Sequence, residues 1–122
     1  MSIDRKAFGA AAEQAVGSYL QEQGFTIIAY NYFARVGELD IVARKQELIV
    51  FVEVKARKSS YFPLSSVIIP SKQRKIVQAA RCFILDKKLT QTVWRFDVAF
   101  VYQVDGKWVV DYRPHAFEPE GF

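Results

Sequence analysis

Apolar residues Phe8, Ala12, Ala15, Val16, Tyr19 and Leu20 recur with the 3.6-residue period and predict a helix over residues 4–23. Asp4 is placed to cap its start, and Gly24 to end it in a left-handed conformation. Gly9 and Gly17 weaken this helix or admit a close neighbour. The period then changes. Residues 25–30 are rich in β-branched and aromatic side chains, and residues 37–44 alternate imperfectly, so both predict strands. Residues 48–55 read LIVFVEVK, apolar on both faces, as in a central strand covered on each side. Helical spacing returns over residues 71–88, with Ile76, Val77, Ala80, Phe83 and Ile84 on one stripe and Arg74, Gln78 and Arg81 opposite. Residues 94–102 and 107–112 predict two strands joined through Asp105-Gly106, a hairpin signal. The order α-β-β-β-α-β-β predicts a mixed sheet with helices packed on it, an α/β or α+β fold.

Composition narrows the class. The 122 residues (14.0 kDa) are 51% hydrophobic and 25% charged, enough for one globular domain spanning residues 1–122 with a core of its own. The single cysteine, Cys82, excludes an internal disulfide and a thiolate zinc cluster, which fits a reducing cytoplasm. No run approaches the roughly 20 apolar residues of a membrane span, and no apolar signal region follows the N-terminus. The net charge of +4 is modest but uneven. Residues 55–95 carry ten Lys or Arg and one acid, Asp86, against seven basic and twelve acidic residues elsewhere. One part of the molecule is therefore suited to an anionic partner, nucleic acid first, or else is a solvated lysine-rich surface.

The chemistry concentrates in residues 37–55. Gly37-Glu38-Leu39-Asp40 is followed, after twelve residues, by Glu53-Val54-Lys55. If the intervening turn sets Arg44 opposite Ile49, Asp40 falls across from Glu53, and cross-strand Cβ atoms are only about 4.5–5.5 Å apart. Lys55 then shares the Glu53 face. A register one residue different would turn Glu53 and Lys55 away, so the turn must hold an even number of residues or a bulge. An unpaired carboxylate at the end of the most apolar strand costs several kcal/mol, of order 3–5. Either Lys55 compensates it as an ion pair, or Asp40 and Glu53 share a divalent cation; hard oxygen ligands suit Mg²⁺. The spacing leaves both open.

Asp-x12-Glu-x-Lys on a hairpin, behind a helix bearing Glu13, resembles the PD-(D/E)XK nuclease superfamily with its restriction-endonuclease-like fold. Glu13 and Ala15, Asn31, Gly37-Glu38-Leu39-Asp40, Phe51-Val52-Glu53-Val54-Lys55-Ala56-Arg57, Lys72, Arg95-Phe96-Asp97-Val98 and Ala116-Phe117 together resemble the small bacterial YraN family, distantly similar to Holliday-junction resolvases. The resemblance implies a metal-dependent endonuclease acting on DNA, with branched DNA as a substrate class. It implies Asp40, Glu53 and the Val54 carbonyl as ligands of Mg²⁺ or Mn²⁺. Lys55 would orient or deprotonate the attacking water, or stabilise charge on the phosphate, and Glu13 would complete the catalytic set. On a helical wheel Glu13 lies about 100° from the centre of the apolar stripe, at its edge. The chain departs from the family pattern at Ala12, where a glycine is usual, and at Phe33, where an arginine is usual.

Arg57, Lys58, Lys72, Arg74, Lys75 and Arg81 form the expected phosphate-contacting set, and such contacts position a duplex without reading its sequence. Tyr61 and Phe62 either stack on bases or anchor their own loop, which spans residues 59–71. Glu38 and Asp97 read as structural. His115 has no partner histidine, no Gly-x-Ser-x-Gly elbow surrounds any serine, and Cys82 falls on the polar side of its helix. Three functions remain: the endonuclease, with a homodimer suited to cutting two strands; a non-catalytic nucleic-acid-binding module that keeps the fold; and a partner-binding accessory protein, supported only by the loop aromatics.

Overall fold

A computed structural model describes residues 5–57 and 68–119. Asp4, Lys58, Tyr61, Phe62 and the remainder of segment 58–67 lie outside the described residues. Helix α1 (Arg5–Glu22) is followed by β1 (Thr26–Ala34), β2 (Gly37–Lys45), β3 (Leu48–Ala56), α2 (Pro70–Asp86), β4 (Val93–Val104) and β5 (Lys107–Phe117). The five strands form one open mixed sheet in the order β1-β2-β3-β4-β5. Three pairings are antiparallel; β3 and β4 run parallel, and α2 lies in the crossover between them.

The expected element order holds, and β1 and β5 run furthest past their patterns. β1 continues through Asn31 to Ala34 because Tyr32, Phe33 and Ala34 pair with Leu39, Glu38 and Gly37 of β2, although Asn31 takes a left-handed φ of 51°. β5 continues past Tyr112 across Pro114 and His115. An edge strand tolerates a residue without an amide hydrogen, and the ladder shifts register between Phe96 and Val98. The β4–β5 turn places both Asp105 and Gly106 at positive φ, as a two-residue hairpin turn requires.

The sheet separates two apolar layers. On one side Ile49, Phe51, Leu39, Val42 and Phe96 pack against Ile76, Val77, Ala80, Phe83 and Ile84 of α2. On the other, Val50, Val52, Ile41, Ala99 and Val101 pack against Ala12, Val16 and Leu20 of α1. β3 feeds both layers from alternate residues, which explains its continuous apolar run. Two glycines permit close contacts. A Cβ on Gly37 would stand 2.9 Å from the Lys75 carbonyl oxygen, so the start of β2 lies directly against the α2 backbone. Gly17 makes room for the Tyr30 hydroxyl. Among the described residues no helix is long and apolar enough to cross a membrane.

Asp97 is structural. Its carboxylate, fully buried, accepts hydrogen bonds from Arg95 Nε (2.9 Å) and Nη2 (2.9 Å), the Tyr112 hydroxyl and the His115 amide (3.1 Å). Burial and then the Asp97 charge push the Tyr112 hydroxyl well above the ordinary tyrosine value, so it remains a donor. Asp97→Ala strands these donors and is expected to cost about 3 kcal/mol of unfolding free energy in urea titration; a loss below about 0.5 kcal/mol would contradict the assigned role.

Candidate functional site

The β2–β3 turn comprises Gln46 and Glu47, and Arg44 stands opposite Ile49. The ladder ends at Ile41–Val52, immediately before Asp40 and Glu53. There the backbones part, and Asp40 Oδ2 accepts the Val54 amide hydrogen at 2.8 Å. On the other flank, the pairs Tyr30–Ile41 and Tyr32–Leu39 bracket Asn31 and Asp40. Asn31 Nδ2 donates to Glu13 Oε1 at 3.0 Å, tying α1 to the same end of the sheet.

Glu53 extends the Ile49–Phe51 row toward α2. Its Oε1 lies 2.8 Å from Lys72 Nζ and 3.4 Å from Lys55 Nζ. Asp40 and Glu53 are only 7% and 8% exposed. Burial, then the neighbouring Glu53 charge, push the Asp40 carboxyl up to about 8. Glu13 is also raised, by burial foremost and then by Glu38 and Glu53, against the lowering effect of Asn31. Burial and the adjacent Lys72 ammonium hold Lys55 below the ordinary lysine value, with Glu53 pulling the other way. Lys72 is raised: burial opposes its charge, but its contacts with Glu53 and Lys55 outweigh that.

Glu53, Lys55 and Lys72 line a cleft of about 560 Å³ together with Gly37, Glu38 and Lys75. Glu38 thus stands at the cleft. The oxygen donors of Asp40, Glu53 and the β3 backbone are of the hard type that suits Mg²⁺ or Mn²⁺. Among the described residues no three His, Cys, Asp or Glu side chains gather into a metal cage.

Residues 12–101 match the model of Uncharacterised protein family UPF0102. The chain belongs to this family, the YraN family of the sequence comparison. A UPF0102 protein of Desulforapulum autotrophicum is 39% identical over 98% of this chain and 100% of its own. One of Syntrophotalea carbinolica is 36% identical over the full length of both, and one of Desulfosudis oleivorans 41% identical over 83% of each. The UPF0102 match spans Glu13, Asp40, Glu53, Lys55 and Lys72.

The basic residues separate in space. Lys72 and Lys75 line the Glu53 cleft, whereas Arg74 and Arg81 line another, of about 270 Å³, with Gln78 and Phe117. Arg57 is exposed, and its Nη1 folds back to the Ala56 carbonyl at 3.0 Å. Lys58 lies outside the described residues. Two roles are not legible as such in the sequence. Lys72 reads as a surface cation but is the nearest partner of Glu53; the signal was a cation in the first helical turn, where the helix dipole disfavours it. Asn31 orients Glu13, and its signal was a strand-disfavoured residue that tolerates positive φ.

The Asp40 shift has a defined sign. Its folded-state value lies above the ordinary carboxylate value, so the stability it contributes is complete below about pH 4 and is lost as pH rises through about 8. Denaturant titrations across that window should show wild type losing this component and Asp40→Asn lacking it; an unchanged slope in the variant would refute the shift.

Proposed function

We propose that this chain is a divalent-metal-dependent endonuclease-like protein that binds DNA and hydrolyses its phosphodiesters, with branched DNA as the expected substrate class. The observation that carries the reading is the pair of nearly buried carboxylates, Asp40 and Glu53, the second of which lines an open cleft with Lys55 beside it. Two such carboxylates repel each other when ionised, and a hard divalent ion with water and a phosphate oxygen would complete the balance. Asp40 and Glu53 would hold it. The Val54 amide already faces Asp40, and in an extended strand the carbonyl of the same residue leaves on that side, so it is the third candidate ligand. When bound, Mg²⁺ or Mn²⁺ supplies Lewis-acid polarisation and a more acidic water.

The chain's own residues divide the remaining work. Lys55 Nζ, held below the ordinary lysine value, orients the attacking water and takes its proton, or faces the charge developing on the phosphate. Glu13, fixed by Asn31, is placed to hold a second water at the far edge of the site. The first turn of α2 borders the cleft, bears no acidic residue and has no side-chain cap, so the positive end of its dipole and Lys75 favour a phosphate. Cutting both strands of a branched duplex calls for two such centres, hence a homodimer.

One observation favours a second reading, a binding module that does not cut: Glu53 already has two lysine partners. Calorimetric titration with Mn²⁺ separates the two. Wild type is expected to bind and Asp40→Ala to lose binding; no binding by wild type leaves only the module. Incubation with linear, single-stranded, flapped and four-way-junction DNAs, with and without Mn²⁺, reads the activity directly. Lys55→Ala is expected to abolish cleavage with DNA affinity largely intact, and undiminished cleavage would remove Lys55 from the mechanism. For the cleft wall, Lys75→Ala should reduce the slope of log affinity against log salt by about one; an unaltered slope would exclude Lys75 from phosphate contact.

A further inference from the structure

Lys72 combines three features that a surface phosphate contact does not need. Its Nζ makes the shorter of the two lysine contacts to Glu53, 2.8 Å against 3.4 Å for Lys55, and on the same oxygen. It sits in the first turn of α2, where the positive end of the helix dipole repels it and no acidic neighbour compensates. And its side chain is 40% exposed at the cleft, whereas Lys55 is 19% exposed and Glu53 9%. The first feature makes Lys72 the charge that neutralises Glu53. The second means that this ion pair offsets an unfavourable position. The third gives a long, flexible stem room to swing outward.

We propose that Lys72 is an exchangeable counter-ion: it neutralises Glu53 until a divalent cation takes the carboxylate, and the freed ammonium then binds a phosphate of the incoming nucleic acid. This rests on the metal-dependent reading above. Without metal the Lys72 ammonium balances Glu53; the exchange raises the positive charge of the cleft and so couples metal occupancy to the appearance of a phosphate-binding cation there. Lys55, more enclosed and carried on β3 two residues from Glu53, stays with the carboxylate.

The two cations compete for one carboxylate, so removing Lys72 should strengthen metal binding. A Lys72–Glu53 bridge that only pins α2 to β3 would leave metal affinity unchanged or weaken it when broken. Calorimetry with Mn²⁺ on Lys72→Met is expected to show binding about tenfold tighter than wild type, which corresponds to about 1.4 kcal/mol. Equal or weaker binding by the variant, with wild type binding normally, overturns the exchange and leaves the metal site standing. Absence of Mn²⁺ binding by both chains overturns the metal site and the exchange with it. A measurement on the unaltered chain guards against misfolding of the variant: addition of Mg²⁺ should shift the Lys72 side-chain ¹³Cε resonance in wild type and leave it in place in Asp40→Ala. A Lys72 resonance that ignores Mg²⁺ in a wild type that binds Mn²⁺ also overturns the exchange. For the second half, Ca²⁺ should raise the DNA affinity of wild type and not that of Lys72→Met; an equal rise in both removes the phosphate role.

Discussion

The hydrogen bond from the Val54 amide to Asp40 Oδ2 stands where two strands part, and the site depends on it. Up to Ile41–Val52 the β2–β3 ladder satisfies its own backbone. One step further a side chain takes a backbone donor, and this holds Asp40 beside Glu53 in surroundings that expose only 7% and 8% of the two residues. Burial, and after it the like charge of Glu53, push the Asp40 carboxyl up to about 8. Lys55 and Lys72 then supply the positive charge on the Glu53 side.

Comparison with Asp97 shows what separates a structural carboxylate from a chemically available one. Both are buried. Asp97 accepts from Arg95, Tyr112 and the His115 amide, which between them occupy both its oxygens. Glu53 meets its lysines at the wall of an open cleft of about 560 Å³. Saturation by fixed donors stabilises a fold, whereas partial compensation beside open space leaves room for a ligand.

Strand order determines where that space lies. β3 and β4 are parallel, so the chain must cross over between them, and α2 in that crossover starts near the C-terminal end of β3. Open α/β sheets bind ligands outside the carboxyl ends of their strands for this reason. Glu53 and Lys55 occupy that end of β3, and Lys72 and Lys75 reach it from α2. The close packing of Gly37 on the Lys75 carbonyl sets β2 against the same helix. The positive charge counted along residues 55–95 is thereby divided, with Arg74 and Arg81 on a second cleft.

Local pattern was enough for both helices, the five strands and their order along the chain, the Asp105-Gly106 turn and the register that sets Arg44 opposite Ile49, because periodicity and turn parity act over a few residues. It also singled out the residues of the cleft, since charges at the end of an apolar strand are visible as an anomaly in one dimension. The ends of β1 and β5 were not legible. Asn31 and Pro114 argue locally against strand, and only pairing with β2 and β4 carries the chain through them. Nor was the partner of Glu53: Lys72 lies nineteen positions away, and its distance to the carboxylate is set by how α2 seats on the sheet. The sequence by itself determined which charges had to be compensated; the tertiary structure decided which cation compensates them, because side-chain proximity across elements arises from packing that no local window contains.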